Sequence, residues 1–215
     1  MLVVIAGSGR VGGGLAEILS KDGHDVVVVD TDPRRLAELS FEFAGEKVFG
    51  DVTDVDVMRS ARCDKADAFV AALGDDNSNI MAAQLASVVF GLKRVIVRVK
   101  DPKMLDAYSD YEFHTVSATG LAAEAMADML RAGPELSVRA SLLKGQVKVV
   151  EFSLPSWKAC RELVRLVAEG VFSVAMTVAG GKVSLRYDEE ALAPEVQVIG
   201  VVDADHLPAL SRLAD

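Results

Sequence analysis

The residues best placed to do chemistry are glycines and a carboxylate rather than an acid–base set. Gly7-Ser8-Gly9-Arg10-Val11-Gly12 follows a short apolar run and opens a helical pattern, the context in which a GxGxxG is a phosphate-binding turn. Gly7 permits the tight turn, Gly9 lets backbone approach a pyrophosphate, and Gly12 lets the helix pack on the strand. The helix N-terminus adds free N–H groups and positive dipole for phosphate oxygens. Asp30 ends the second apolar run, about 20 residues beyond the loop, where a carboxylate accepts from ribose hydroxyls. The same carboxylate would repel a 2′-phosphate, which disfavours NADP.

Other residues fall at the ends of later apolar runs. Arg10, in the first helical turn, is either a solvated surface side chain or a charge-assisted donor to phosphate oxygens. Asp51, in GDVTD, sits where the adenine end of such a cleft lies, or caps the next helix, a role equally open to Thr53 or Asp54. Leu73 and Gly74 close the fourth run, and Gly74 lets backbone approach a ribose or phosphate. Asp75, Asp76 and Asn77 read as caps of the following helix. Arg98 lies inside RVIVRVK, where a buried charge is costly unless paired. It implies a salt bridge or a nucleotide phosphate.

No catalytic constellation accompanies these residues. His24, His114 and His206 are scattered, and no HxxxH or CxxC spacing supplies a metal site. Cys63 and Cys160 read as ordinary thiols of a reducing compartment. Trp157 reads as core. A small NAD-dependent oxidoreductase is the alternative reading, but a dehydrogenase needs a proton donor or acceptor and room for a substrate. Net charge is −9, which argues against nucleic acid as a partner and, without a helix-turn-helix signature, against a transcriptional sensor. No apolar run reaches the ~18 residues a membrane span needs. The strand-like LVVIAG directly after Met1 predicts no signal peptide and a cytosolic protein.

The elements that must position the site follow from hydrophobic periodicity. With 51% of 215 residues hydrophobic, a proper core is available. Apolar, β-branched runs at 2–6, 25–29, 47–49, 66–73, 94–99 and 113–116 alternate with helical patterns. The last helix closes at Gly133 and Pro134. Strands apolar throughout and separated by helices predict a parallel sheet buried on both faces. Right-handed crossovers make it a doubly wound, Rossmann-like α/β fold. Residues 1–134 form this nucleotide-binding domain, residues 135–145 read as a linker, and residues 146–215 as a small α+β domain. That domain has a hairpin turn at AGGK and a terminal helix at 204–213.

Taken together, the chain resembles the regulatory subunits of bacterial and archaeal Trk/Ktr potassium uptake systems, the TrkA family with its KTN or RCK domain. The stretches that carry the resemblance are GSGRVG, GHDVVVVDTDP, GDVTD, ADAFVAALGDDNSN, GLKRVIVRVKDP and LAAEAMADML. They cover residues 1–132, and residues 146–215 resemble the family's small C-terminal domain more loosely. The resemblance implies NAD(H), ATP or ADP as ligand, held by Gly7, Ser8, Gly9, Arg10, Val11, Asp30, Leu73, Gly74 and Arg98. It implies no catalysis, but a nucleotide-sensing subunit that gates a membrane-embedded potassium channel or transporter. It further implies homodimers that assemble into a ring at the inner face of the membrane, held there by the partner. Ser117 stands near where the Ktr branch carries a metal-associated glutamate, so no bridging metal is expected. SWKAC replaces a Gly-Lys at the start of the C-terminal helix, and the Gly-Asp turn before the last long strand is missing. Both departures weaken a second effector site there.

Overall fold

β-Branched runs too short and too apolar for surface helices become the strands of a buried sheet. In the computed structural model, which describes residues 1–105, 108, 111–132 and 135–214, these are β1 (Leu2–Ala6), β2 (Asp25–Asp30), β3 (Glu46–Phe49), β4 (Ala68–Ala71), β5 (Val95–Arg98) and β6 (His114–Val116). They form one six-stranded parallel sheet in the order β3-β2-β1-β4-β5-β6. The order reverses between β1 and β4, which opens a crevice at their carboxyl ends.

Helices α1 (Arg10–Lys21), α2 (Pro33–Glu38), α3 (Val55–Ser60), α4 (Asp76–Gln84) and α5 (Ala118–Ala132) connect and follow the strands. Every residue of β1 is buried. Val4, Val27, Val29 and Phe69 join the core on one face, and Val3, Ile5, Val26 and Val28 join that on the other. Two covered faces are what a parallel sheet with crossover helices requires. Pro33 occupies the first turn of α2 and Asp32 caps it by accepting from the Arg34 N–H. The helix stops at Glu38. Helix α4 runs on as a π-helical turn over Leu85–Val89.

The chain divides into two compact units, Met1–Leu121 and Ala122–Asp215. The second holds an antiparallel five-stranded sheet, β10-β9-β11-β8-β7. Its strands are β7 (Leu136–Leu142), β8 (Val147–Ser153), β9 (Phe172–Ala179), β10 (Lys182–Ser184) and β11 (Gln197–Asp203). Helices α6 (Trp157–Ala168) and α7 (Leu207–Ala214) share one core with it, including Phe152, Leu163, Phe172, Val198 and Leu210. Gly180 and Gly181, both at positive φ, turn β9 into β10 as the AGGK signal predicts. Trp157 is exposed rather than core, because it stands at the first turn of α6 while Cys160 and Leu163 face inward.

Two boundaries differ from the sequence reading. Residues 135–145 are not a linker. They contain β7, whose backbone pairs with β8 along its length, and a 3-10 turn over Leu143–Gly145. Leu136, Val138, Ala140 and Leu142 do alternate with polar residues at a strand's period, a signal that a linker assignment passes over, although only Leu136 of the strand is buried. The division between units falls inside α5 rather than near residue 134, because Asp128 and Ala132 are buried among residues of the second unit. The helix end expected at Gly133 and Pro134 lies outside the described residues.

Candidate functional site

The glycine-rich turn is shaped by backbone packed on backbone. Gly7 has φ +98°, and its N–H donates to the Val29 carbonyl at 2.7 Å. A methyl carbon on Gly12 would lie 1.9 Å from the Gly7 oxygen, and one on Gly7 would lie 2.9 Å from the Ala72 oxygen. These glycines let α1 close on β1 and β4. Gly9 and Gly74 are different, since nothing lies within 4 Å of a methyl carbon built on either. Both face open space, the condition for a ligand to approach backbone closely.

That space is a cleft of about 970 Å³ at the carboxyl ends of the strands, near the upper end of the range for small-molecule sites. Every site residue expected from the sequence lines it. Gly7, Ser8, Gly9, Arg10 and Val11 come from the loop and first turn of α1, Asp30 ends β2, Asp51 follows β3, Leu73 and Gly74 follow β4, and Arg98 ends β5.

Asp30 is only 4% exposed. Its Oδ2 accepts from the Ser8 N–H at 2.8 Å and the Ser8 hydroxyl at 3.0 Å, and its Oδ1 accepts from the Asp32 N–H at 2.9 Å. One oxygen thus fixes the glycine loop. The other has a single donor and keeps acceptor capacity. Asp51 accepts from the backbone and hydroxyl of Thr53, and the cap of α3 is Asp54, whose carboxylate accepts from the Asp56 N–H. Asp75 caps α4 by accepting from the Ser78 backbone at 2.8 Å and hydroxyl at 2.9 Å, and these bonds hold its carboxyl below the usual range. Asp76 instead accepts from the Lys100 N–H. Ser117 accepts from the Gly120 N–H at the start of α5.

Arg98 makes no salt bridge among the described residues. Its Nη1 donates to the Leu73 carbonyl at 3.1 Å, and its buried Nε has no partner. The sequence reading missed what holds that carbonyl, namely Asn79, which is fully buried on α4. A signal existed. Asn79 stands at i relative to Ala82, Ala83 and Ala86, so helical spacing places it on the buried face. Arg35, Lys100 and Thr119 also line the cleft and were not anticipated. Among the described residues no cluster of His, Cys, Asp and Glu is arranged to hold a metal, and no helix is long and apolar enough to cross a membrane.

Comparison with known proteins extends this picture. The family model for the TrkA-N domain matches residues 3–118, which include all of the parallel sheet but Leu2 and all of the cleft lining but Thr119. The Trk system potassium uptake protein TrkA of Streptomyces coelicolor is 40% identical over 126 residues, which are 59% of this chain and 56% of that protein. The chain thus matches about half of that relative's length. A Trk system potassium uptake protein TrkA homolog from Methanothermobacter thermautotrophicus is 29% identical over 158 residues, covering 74% of this chain and 73% of that protein. Among solved structures, the GsuK channel bound to NAD aligns with 99% of this chain and 39% of its own at a TM-score of 0.63 and 18% identity, a likeness of fold.

Proposed function

The chain belongs to the TrkA-N domain family, and from that premise we propose that it is a regulatory subunit which binds an adenine nucleotide in the β1–β4 crevice and gates a membrane-embedded potassium channel or transporter. The observation that carries this reading is the split among the glycines. Gly7 and Gly12 are consumed by packing, whereas Gly9 and Gly74 border empty space beside the α1 N-terminus and Asp30. A pyrophosphate or terminal phosphate fits the helix N-terminus, and a ribose diol fits the free side of the Asp30 carboxylate. NAD(H), ATP and ADP all carry these groups.

Assembly and partner follow the same reading. Helix α5 exposes Leu121, Met126, Met129 and Leu130, the last at 86%. An apolar stripe of this kind is buried by helix–helix exchange between protomers, as in a homodimer that builds a ring. The relatives named as potassium uptake proteins, and the fold shared with a channel bound to NAD, support a potassium-conducting partner and a place at the inner face of the membrane. The first unit serves as the nucleotide-binding domain and the second as a smaller module.

Titration calorimetry with NADH, NAD, ATP and ADP tests the reading. Saturable binding of at least one of them at one site per chain is the expected result, and no binding of any would sink it. The oxidoreductase alternative is checked in parallel by absorbance at 340 nm with NADH and a panel of carbonyl substrates, where no turnover is expected.

A further inference from the structure

Leu73 and Gly74 form the wall of the cleft contributed by β4, yet neither has a side chain that fixes its own backbone. What holds Leu73, and through it the chain at Gly74, is Asn79, one turn into α4 and fully buried. Its Oδ1 accepts from the Leu73 N–H at 2.7 Å, and its Nδ2 donates to the Leu73 carbonyl at 3.2 Å and to the Arg98 carbonyl at 2.9 Å. One acceptor and two donors on a single short side chain is a set that only a carboxamide supplies. Aspartate would forfeit both donations, and alanine would leave the Leu73 N–H and the Arg98 carbonyl without these buried partners. The Leu73 carbonyl also receives Arg98 Nη1 at 3.1 Å. Asn79 therefore sets the spacing between the ends of β4 and β5 and the anchor point of the Arg98 guanidinium together.

We infer that Asn79 is a positioning residue of the cleft, which presents the Leu73–Gly74 backbone and the Arg98 guanidinium to the phosphate and ribose of the bound nucleotide. It touches no ligand and acts through its neighbours. The inference rests on the nucleotide-binding reading above. A fully buried amide in an α4 face otherwise made of Ala82, Ala83 and Ala86 needs such a reason, because a buried polar group is retained only when its bonds are complete.

The test is a double-mutant cycle on the full chain, with ADP affinity measured by calorimetry and thermal unfolding recorded for each variant. Asn79→Ala and Arg98→Ala should each weaken ADP about tenfold, the scale of one charge-assisted hydrogen bond. The double variant should lose little more than either single one, since Arg98 without its anchor no longer meets the ligand. Coupling of that kind marks residues that act as a unit. A merely structural Asn79 would lower the unfolding temperature and leave the two losses multiplicative, near a hundredfold together, and that result overturns the inference. If Asn79→Ala does not fold, Asn79→Ser takes its place in the cycle. Failure of both to fold also overturns it, because Asn79 would then be a fold determinant. Wild-type chain that binds no adenine nucleotide would remove the underlying reading as well, an outcome distinct from binding with multiplicative losses.

Discussion

Each unit buries polar side chains, and the two use them for opposite ends. In the first unit Asp30 and Asn79 spend their hydrogen bonds on backbone groups of the glycine loop and the β4 end, so the cleft beside them stays open. In the second unit Lys148 and Asp128, with side chains 2% and 3% exposed, spend theirs on side chains, each other's included. Lys148 Nζ donates to Asp128 at 2.8 Å, to the Ser141 hydroxyl at 2.9 Å and to Glu124 at 3.2 Å, while Arg131 reaches the other Asp128 oxygen at 3.2 Å. The first arrangement fixes the backbone that borders the cleft. The second joins α5 to β7 and β8 within its own unit. Buried polarity therefore does not by itself mark a binding site; what separates the two cases is whether the partners are backbone groups at the edge of a cleft or opposite charges on packed elements.

The largest effect that would break this contrast is on the closed network. Lys148→Ala leaves buried Asp128 with Arg131 and Ser141, and Asp128→Ala leaves buried Lys148 with Glu124 and Ser141, so the cost should fall below the about 3–5 kcal/mol of a buried charge left wholly unpaired while remaining the largest of the set. Calorimetric unfolding should show that loss in the second unit, with nucleotide affinity of the first unit retained. Replacing both, as Lys148→Met with Asp128→Leu, should recover most of the stability. If either single variant unfolds without loss, the network is not the clamp its geometry describes.

Acidification probes the same pair. Burial alone would raise the Asp128 carboxyl, but hydrogen bonds from Lys148, Ser141 and Arg131 and the Lys148 charge outweigh it and hold it below its ordinary 3.8. A carboxyl depressed in the folded state contributes stability that is fully present above its unfolded value and lost as pH falls through the folded one. Denaturation midpoints should therefore drop as pH falls below about 3.8, and this part of the drop should be missing in the Lys148→Met, Asp128→Leu variant.

Within the first unit the glycines sharpen the comparison. Gly12→Ala drives a methyl carbon into the Gly7 carbonyl and should cost about 1–3 kcal/mol of stability, as overpacking does. Gly9→Ala meets nothing within 4 Å among the described residues and should leave the unfolding temperature nearly unchanged while weakening nucleotide binding. Equal thermal losses in the two variants would show that the space over Gly9 is not kept for a ligand.

Asp30→Ala should weaken NAD(H) or ATP about tenfold or more, since charge-assisted bonds are worth ~1.5–3 kcal/mol. Part of that loss comes through Ser8, which Asp30 holds. Affinity unchanged in a folded variant would remove Asp30 from the site. The smallest effect expected is selective. Arg10 is exposed at the cleft rim on the first turn of α1, where it reaches a terminal phosphate better than a pyrophosphate in mid-molecule. Arg10→Ala should lower ATP affinity more than NAD affinity and flatten the ATP-versus-ADP response of potassium flux in reconstituted vesicles. A uniform loss across nucleotides would shift the discriminating role elsewhere, with Arg98 the next candidate.

The sequence by itself determined the parallel sheet, the glycine turn and the carboxylate at the end of β2, because each is written in a local period or a fixed spacing. Runs such as VVVV in β2 admit only a strand covered on both sides, and GxGxxG placed between strand and helix admits few turns. Only the tertiary structure decided the pairing of β7, the partner of Arg98, the role of Asn79 and the Lys148–Asp128 pair. The alternation of Leu136, Val138, Ala140 and Leu142 marks β7 as a strand, but it names no partner, and β8 is supplied by the sheet. Arg98 and Leu73 are 25 positions apart, Asn79 and Arg98 are 19 apart, and Lys148 and Asp128 are 20 apart. Hydrogen bonds of that kind have no periodicity to read; they exist because strand order brings distant chain segments to one edge, and desolvation there makes each polar group find its partner.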